Sequence, residues 1–379
     1  MLQRRGQGGS KRPRTVQARY RGYCPFRSHS SSYRRQLQLF GHLGTRPAAN
    51  AVVNSVSYIL PVRSKVTVSA EFSEYVNWLS DHTEVIVVDG SADRLYRSLA
   101  ERLVSNVRHI RPDPDLSALK NGKVRGVISG LRRATNEHII IADDDVRYTA
   151  AGIRHVASAL TRADVIRPQN YFRSPPWHAV VDTARTLINR VSGGDWPGTI
   201  AVRRSMLPLP GGYDGDVLFE NLELVRTVEA AGGESLLLRD LFVERLPPRT
   251  VHFWSQRVRQ AYDEFARPWR MIAALLVLPM TLMMTVTRNW LWLFVATGVV
   301  PIALAEWGRR VDGGTWVFPF AASLCAPIWV MERGICAWLA LAARMFWGGV
   351  PYHGTILTKA ANSHKQLAAR QLSSALYPQ

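Results

Sequence analysis

The chain has 379 residues, 48 Lys and Arg against 29 Asp and Glu, a net charge of +19 and 47% hydrophobic residues. That length can bury a full catalytic core, which excludes a peptide, a disulfide mini-scaffold and a wholly disordered chain. The three cysteines, Cys24, Cys325 and Cys336, form no CxxC and no paired ladder, so neither a disulfide framework nor a structural zinc site organises the fold.

The charge is unevenly spread. Residues 1–50 hold eleven of the Lys and Arg and no acid, which leaves +8 for everything after them. This stretch is rich in Arg, Gln, Gly and Ser without apolar periodicity, and such a composition predicts a disordered basic tail. It lacks features that stack on bases or read a groove, which argues against nucleic acid; contact with anionic lipid fits the rest of the chain better. No apolar run precedes Ser55, so no secretory signal is expected and the domain that follows is expected in the cytoplasm.

From residue 51 to 265 short β-rich runs alternate with amphipathic segments. Val56 to Leu60 reads as a strand, Ala70 to Ser80 as a helix, and Glu84 to Val88 as a strand ending at Asp89. Helices follow over Ala92 to Asn106 and Asn121 to Ala134, then strands at His138 to Ala142 and Val165-Ile166, then a helix from Trp177 to Val191. Such alternation predicts βαβ units and an α/β fold with a mostly parallel sheet. In open sheets of that kind ligands sit beyond the carboxyl ends of the strands. Two such positions are acidic here: Asp89 and the triplet Asp143-Asp144-Asp145.

Residues 266–350 form a transmembrane region in this reading. Met271 to Thr287, Asn289 to Ala305 and Thr315 to Met331 each run 17 residues without a charge. At about 1.5 Å per residue each reaches about 26 Å, near the lower limit for a bilayer core. Gly334 to Ala343 reads as a short return helix or an interfacial one. Glu332-Arg333 is costly in lipid, so it belongs at an interface or paired against protein. Arg309-Arg310 and a basic tail over residues 351–379 are expected to face the cytoplasm, which requires an even number of crossings in a multi-pass protein of the cell membrane.

Three adjacent carboxylates repel one another unless water screens them or a cation sits among them. On an exposed loop they would be a bland cluster. At the end of a buried strand, hard oxygens converging on one point suit Mg²⁺ or Mn²⁺ bridging a diphosphate. Asp89-Gly90-Ser91 reads either as a turn or as a second ligand position. Lys123 opens an amphipathic stretch with Gly126 and Gly130 that leads to the triplet, either a solvated face or a helix that delivers an ammonium to a phosphate.

In this order and spacing these residues resemble the family-2 glycosyltransferases of the GT-A fold, in particular the membrane-anchored branch of ceramide glucosyltransferase and the hyaluronan and cellulose synthases. The resemblance covers roughly residues 55–352. It implies a nucleotide-sugar-binding domain followed by C-terminal transmembrane helices. Pro61 sits where that family has its nucleotide loop, Asp89 matches the nucleobase contact, and Asp143 and Asp145 match the metal-binding pair. Two later motifs match with departures. Asp216 to Leu224 resembles the helix that begins Glu-Asp, whose Asp is taken as general base; Asn221 stands there instead, and an amide accepts no proton usefully at neutral pH. Glu220 becomes the candidate base, with Asp216 in reserve. Gln256, Arg257 and Arg259 resemble the Q(Q/R)xRW motif that meets the pyrophosphate, with Gln260 in place of the Trp. Trp196 and Trp254 are candidates for the acceptor's aromatic floor.

The resemblance implies a membrane-bound, metal-dependent, inverting glycosyltransferase. It would use a UDP- or GDP-sugar with Mg²⁺ or Mn²⁺ and a lipid or glycan acceptor. A processive polysaccharide synthase and a catalytically silent membrane interaction subunit are the alternatives.

Overall fold

The computed structural model describes residues 55–208, 212–352 and 354–376. The basic segment 1–50 lies outside the described residues. The elements of the α/β body are β1 (Val56–Val62), α1 (Ala70–Ser80), β2 (Glu84–Asp89), α2 (Asp93–Ala100), β3 (Arg108–Ile110), α3 (Gly122–Leu131), β4 (His138–Ala142), β5 (Val146–Arg147), α4 (Ala150–Ala159), β6 (Val165–Tyr171), α5 (Trp177–Arg190), β7 (Thr199–Arg203), α6 (Glu220–Ala230) and β8 (Ser235–Arg245). These strands form one sheet in the order β3-β2-β1-β4-β7-β6-β8-β5. Only β7 and β5 oppose the common direction, so the α/β fold with a mostly parallel sheet is as the alternation predicts. The second helix stops at Ala100 rather than Asn106, because the chain must turn before β3 joins the sheet edge beside β2.

Strand alternation divides the core. Val56, Tyr58 and Leu60 of β1 pack on one face with Phe72, Val76, Val85, Val87, Ile153 and Val156. Ile59 packs on the other with Val124, Val127, Ile128, Leu131, Leu224 and Val228, so α3 and α6 cover that face. Helix α3 lies close to β1 because Gly126 and Gly130, which face it, have no side chain. A Cβ on Gly130 would lie 2.5 Å from Ile59 Cγ2, and one on Gly126 2.8 Å from Pro61 Cβ. Ile59 is fully buried and β-branched and cannot step aside. Gly130→Val is therefore expected to cost about 1–3 kcal/mol through overpacking, measured by thermal unfolding in detergent.

After β8 come α7 (Thr250–Ser255), α8 (Arg257–Tyr262), α9 (Pro268–Val286), α10 (Trp290–Phe294), a π-helical turn at Val295–Val299, α11 (Val300–Arg310), α12 (Phe320–Leu324) and α13 (Ala326–Trp347). Three helical stretches are long and apolar enough to cross a membrane: Pro268–Val286, Trp290–Trp316 and Ala326–Trp347. The first two match the expected segments. The third corrects the sequence reading, which divided the region into Thr315 to Met331 and Gly334 to Ala343. Asp312 and Gly313 adopt positive φ and end the second helix, and Pro319 precedes a short helix. Pro327, in the first turn of α13, marks the start of one continuous helix. Glu332-Arg333 does not interrupt it, because Glu332 pairs with Arg257 of the body.

Helix α9 carries Pro279, which leaves the Leu275 carbonyl without its helical donor. The Trp338 indole of α13 donates to that oxygen at 3.0 Å, so the two helices are clipped where the ladder is broken. Alanines 337, 340 and 343 form the close-packed face of α13 with Tyr262, Met271 and Tyr352. Its first turns pack against α5 through Ala326 and Trp329. From Ala326 to Ala343 one face of α13 thus lies against the α/β body and the helices that follow it. The segment expected as a free basic tail is folded too: β9 (Val350–Tyr352) and β10 (Thr355–Leu357) form a hairpin before α14 (His364–Leu376). Lys359 and Ala360 carbonyls accept from Leu218 and Phe219 N–H, just before α6.

Candidate functional site

Parallel strand direction brings the carboxyl ends of β2, β4 and β8 to one edge of the sheet, and with them Asp89, Asp143 and Arg245. Val146 pairs with Arg245 across β5 and β8, which sets Arg245 beside Asp145. Its Nε donates to Asp145 Oδ2 at 2.8 Å, and its Nη2 lies 3.5 Å from Asp143 Oδ2. From the other side Lys123 Nζ reaches Asp143 Oδ1 at 2.5 Å and Glu220 Oε1 at 2.8 Å. Asn121 caps α3, accepting from the Lys123 and Val124 N–H groups, and Tyr352 donates to the same Asn121 oxygen at 3.0 Å. The start of α3 is thereby fixed and Lys123 with it.

Burial opposes charge on Lys123, but the Asp143 and Glu220 carboxylates outweigh it and hold the ammonium well above the ordinary lysine range. Asp143 is likewise penalised by burial, yet Lys123, Arg245 and the more distant Arg259 hold it below the usual carboxylate range. Asp145 goes the other way, because burial and the Asp143 charge exceed what Arg245 returns. Its Oδ1 is buried without a partner. That hard oxygen and its neighbour Asp143 fit a divalent cation in chemistry. Among the described residues no three His, Cys, Asp or Glu side chains converge on one point. Further ligands would have to come from a bound molecule and water.

Asp89 is buried at the end of β2 and accepts from Ser91 N–H at 2.8 Å, the expected turn. Its other oxygen meets His109 Nε2 at 3.2 Å. Hydrogen bonds from His109 and Ser91 overcome its burial and keep its pKa low. Tyr96 stacks on the His109 ring with centroids 4.0 Å apart, and the Arg111 guanidinium lies 4.0 Å over Tyr96. Pro61 lines the approach from β1, against Gly126.

The later candidates separate. Arg259 faces the site, its guanidinium 5.1 Å over the Tyr352 ring and its charge acting on Asp143. Arg257, expected at the pyrophosphate, is turned away: it is buried between Asp182 at 2.9 Å and Glu332 at 2.5 Å. Gln256 turns to Ser255 Oγ. Asp216 Oδ1 accepts from Lys120 N–H at 3.0 Å and so fastens one loop to another. Asn221 Nδ2 donates to Pro197 O at 2.9 Å, which draws in Trp196, whose ring lies 5.0 Å from that of Phe219. Trp254 stands half exposed at an outer rim against Trp177, 6.2 Å away.

No protein-family profile matches the chain, and no curated protein does. Among solved structures, a mannosyltransferase from Pyrobaculum calidifontis in complex with GDP-Man and Mn²⁺ is similar over 91% of this chain and 87% of its own, at 18% identity and a TM-score of 0.40. Glucosyl-3-phosphoglycerate synthase from Mycobacterium tuberculosis, in complex with Mn²⁺, UDP and phosphoglyceric acid, is similar over 56% and 79%, at 14% identity and a TM-score of 0.38. Mannosyl-3-phosphoglycerate synthase from Rubrobacter xylanophilus is similar over 53% and 70%, at 12% identity and a TM-score of 0.36.

Three groups at this site went unread in the sequence: Arg245, His109 and Asp263. Asp263 follows α8, and one of its carboxyl oxygens is buried without a partner. Burial pushes it up to about 7, with Arg259 and Arg267 opposing and Glu220 adding to the rise. The Gln-Arg spacing that singled out Arg259 ends three residues short of it.

Proposed function

We propose that this protein is a membrane-bound glycosyltransferase of the GT-A type that moves one sugar from a UDP- or GDP-sugar to a lipid or glycan hydroxyl with inversion. The observation that carries this reading is the convergence of Asp89, Lys123, Asp143, Asp145 and Arg259 at one edge of a parallel sheet. Asp89, beneath the His109 and Tyr96 stack, suits a nucleobase. Lys123 and Arg259 are fixed cations for a diphosphate that gains charge as it leaves. A divalent cation held by Asp143 and Asp145 would offset more of that charge.

Transfer is a single displacement. The acceptor oxygen bonds to the anomeric carbon as the bond from that carbon to the diphosphate oxygen breaks, and the hydroxyl proton passes to a carboxylate. Glu220 at the start of α6 and Asp263, which feels its charge, are the candidate carboxylates. Glu220 is engaged by Lys123, so Asp263 is assigned the proton.

The helices support a lipid-proximal site. On α9 and α10, Leu282, Met283, Val286, Trp290, Leu291, Trp292 and Phe294 are exposed, as a lipid-facing hairpin requires. Arg288 sits at its turn, and Arg309 and Arg310 mark its return to the body. In this arrangement the hairpin makes two crossings and α13 lies along the bilayer surface, with the catalytic body in the cytoplasm. The faces that α9 and α13 share are apolar and close, since a Cβ on Gly334 would lie 3.0 Å from Val277 Cβ. Such a filled seam favours single transfer over export of a growing glycan.

The test is release of nucleoside diphosphate from a panel of UDP- and GDP-sugars by the full chain in detergent with Mn²⁺. Turnover with at least one donor, and its loss in Asp145→Ala, is the expected result. No turnover with any donor, together with unchanged nucleotide binding in Asp145→Ala, would overturn the reading.

A further inference from the structure

The Asp143–Asp145 pair has four carboxylate oxygens, and fixed cations of the chain already engage three. Lys123 Nζ takes Asp143 Oδ1 at 2.5 Å, while Arg245 takes Asp145 Oδ2 at 2.8 Å and reaches Asp143 Oδ2 at 3.5 Å. Asp145 Oδ1 alone is buried and unpartnered. The pocket that admits the guanidinium is built for it. A Cβ on Gly198 would lie 2.8 Å from Asp143 Oδ2 and 3.2 Å from Arg245 Cζ, so any side chain there would push into the pair. Gly198 is held in place on both sides: its N–H donates to Asn170 Oδ1 at 2.7 Å, and its carbonyl accepts from Asp143 N–H at 2.8 Å.

Charge decides what such a site admits. Asp143, Asp145 and Glu220 face Lys123, Arg245 and Arg259, so the half-buried groups are near balance, with Asp144 exposed to solvent beside them. A dication entering alone would add two uncompensated charges and find one free protein oxygen, whereas a hard cation of this class takes about six. A dication arriving on a diphosphate brings its own negative charge and further oxygens. It also offers Arg245 a new anionic partner, so the guanidinium need not be stranded when it leaves the carboxylates.

We infer that Arg245 is a built-in counter-cation that holds the Asp143–Asp145 pair when no donor is present, excludes free divalent metal, and yields the pair only to a metal–nucleotide complex. This rests on the nucleotide-sugar reading above. Arg245 acts through the carboxylates and is a positioning residue that precedes donor binding.

The experiment follows free Mn²⁺ by electron paramagnetic resonance with the full chain in detergent, with and without UDP or GDP. Wild type is expected to leave Mn²⁺ free until nucleotide is added. Arg245→Gln is expected to take up Mn²⁺ without nucleotide at least about tenfold more tightly than wild type. Adding Asp145→Asn to that variant should abolish the uptake, and Arg245→Lys, which keeps a cation, should behave as wild type. Thermal unfolding of each variant shows that it is folded. Equal Mn²⁺ uptake by wild type and Arg245→Gln without nucleotide would overturn the inference, as would a failure of nucleotide to recruit Mn²⁺ to wild type. Calorimetric titration with UDP and GDP separates the two levels. Binding of neither would sink the nucleotide-sugar reading and the inference with it, whereas nucleotide binding with the wrong metal pattern removes the role of Arg245 alone.

Discussion

Asp263→Asn is expected to lower kcat for nucleoside diphosphate release by about 10²–10⁴-fold, the range of a lost general base, with little change in nucleotide affinity. The reason begins with Asn221, which occupies the position where the resembled family has its Asp and is spent on the Pro197 carbonyl. Glu220, next to it, shares Lys123 with Asp143. Asp263 has an unpartnered buried oxygen and a pKa that burial pushes up to about 7. A base must be ionised to accept a proton, so the wild-type rate should rise about tenfold per pH unit below about 7 and level off above it. Asp263→Asn should lose that limb, while Glu220→Gln should retain it. Stability gives an independent sign. A carboxyl raised in the folded state stabilises the fold at low pH and loses that contribution as pH rises through about 7. The neutral Asn carries no such loss, so the variant's melting temperature should gain on wild type between about pH 4 and pH 7 and keep a constant lead above that. A flat difference, with the acid limb intact in Asp263→Asn, would return the role to Glu220.

What could be read in the sequence follows physical range. Apolar runs ending in carboxylates announce strand ends, so Asp89 and Asp143–Asp145 could be found without coordinates. Lys123 was within reach because a capped helix leads directly to the triplet. Arg257 and Arg259 show where the reading stops. They are two residues apart on the short helix α8 and so point about 200° apart; one must face the core if the other faces the site. The motif supplies the spacing and not the rotation. Arg245 had no local signal at all, since it reaches Asp145 through β8 pairing with β5, 100 residues apart in sequence. The fused α13 was missed for a related reason. Its charged pair looked like a break in lipid, and only the distant Arg257 turns it into an internal contact.

That contact carries the largest expected effect on stability. Arg257→Met should destabilise the protein by about 3–5 kcal/mol, because removing one partner of a buried ion pair strands the other. Arg257 is 2% exposed and bonds to Asp182 and Glu332, while its guanidinium lies 4.7 Å from the centre of the Phe253 ring. The two carboxylates differ in what remains to them. Asp182 retains Arg185, whose Nε lies 3.1 Å from it. Glu332 has its other oxygen buried without a partner and would be left as an unpaired charge on a helix that otherwise packs by alanine. The cost should therefore fall mainly on the docking of α13 against α8 and α5. Adding Glu332→Met to Arg257→Met should recover much of the loss, since an apolar pair of similar volume replaces the ions. Adding Asp182→Asn should recover little, because that change also deprives Arg185 of a partner. Thermal unfolding in detergent measures the three together, with limited proteolysis between α12 and α13 reporting release of the helix. If all three variants melt as wild type does, α13 is held by its alanine face and by Trp338, and the ion pair adds nothing to the attachment.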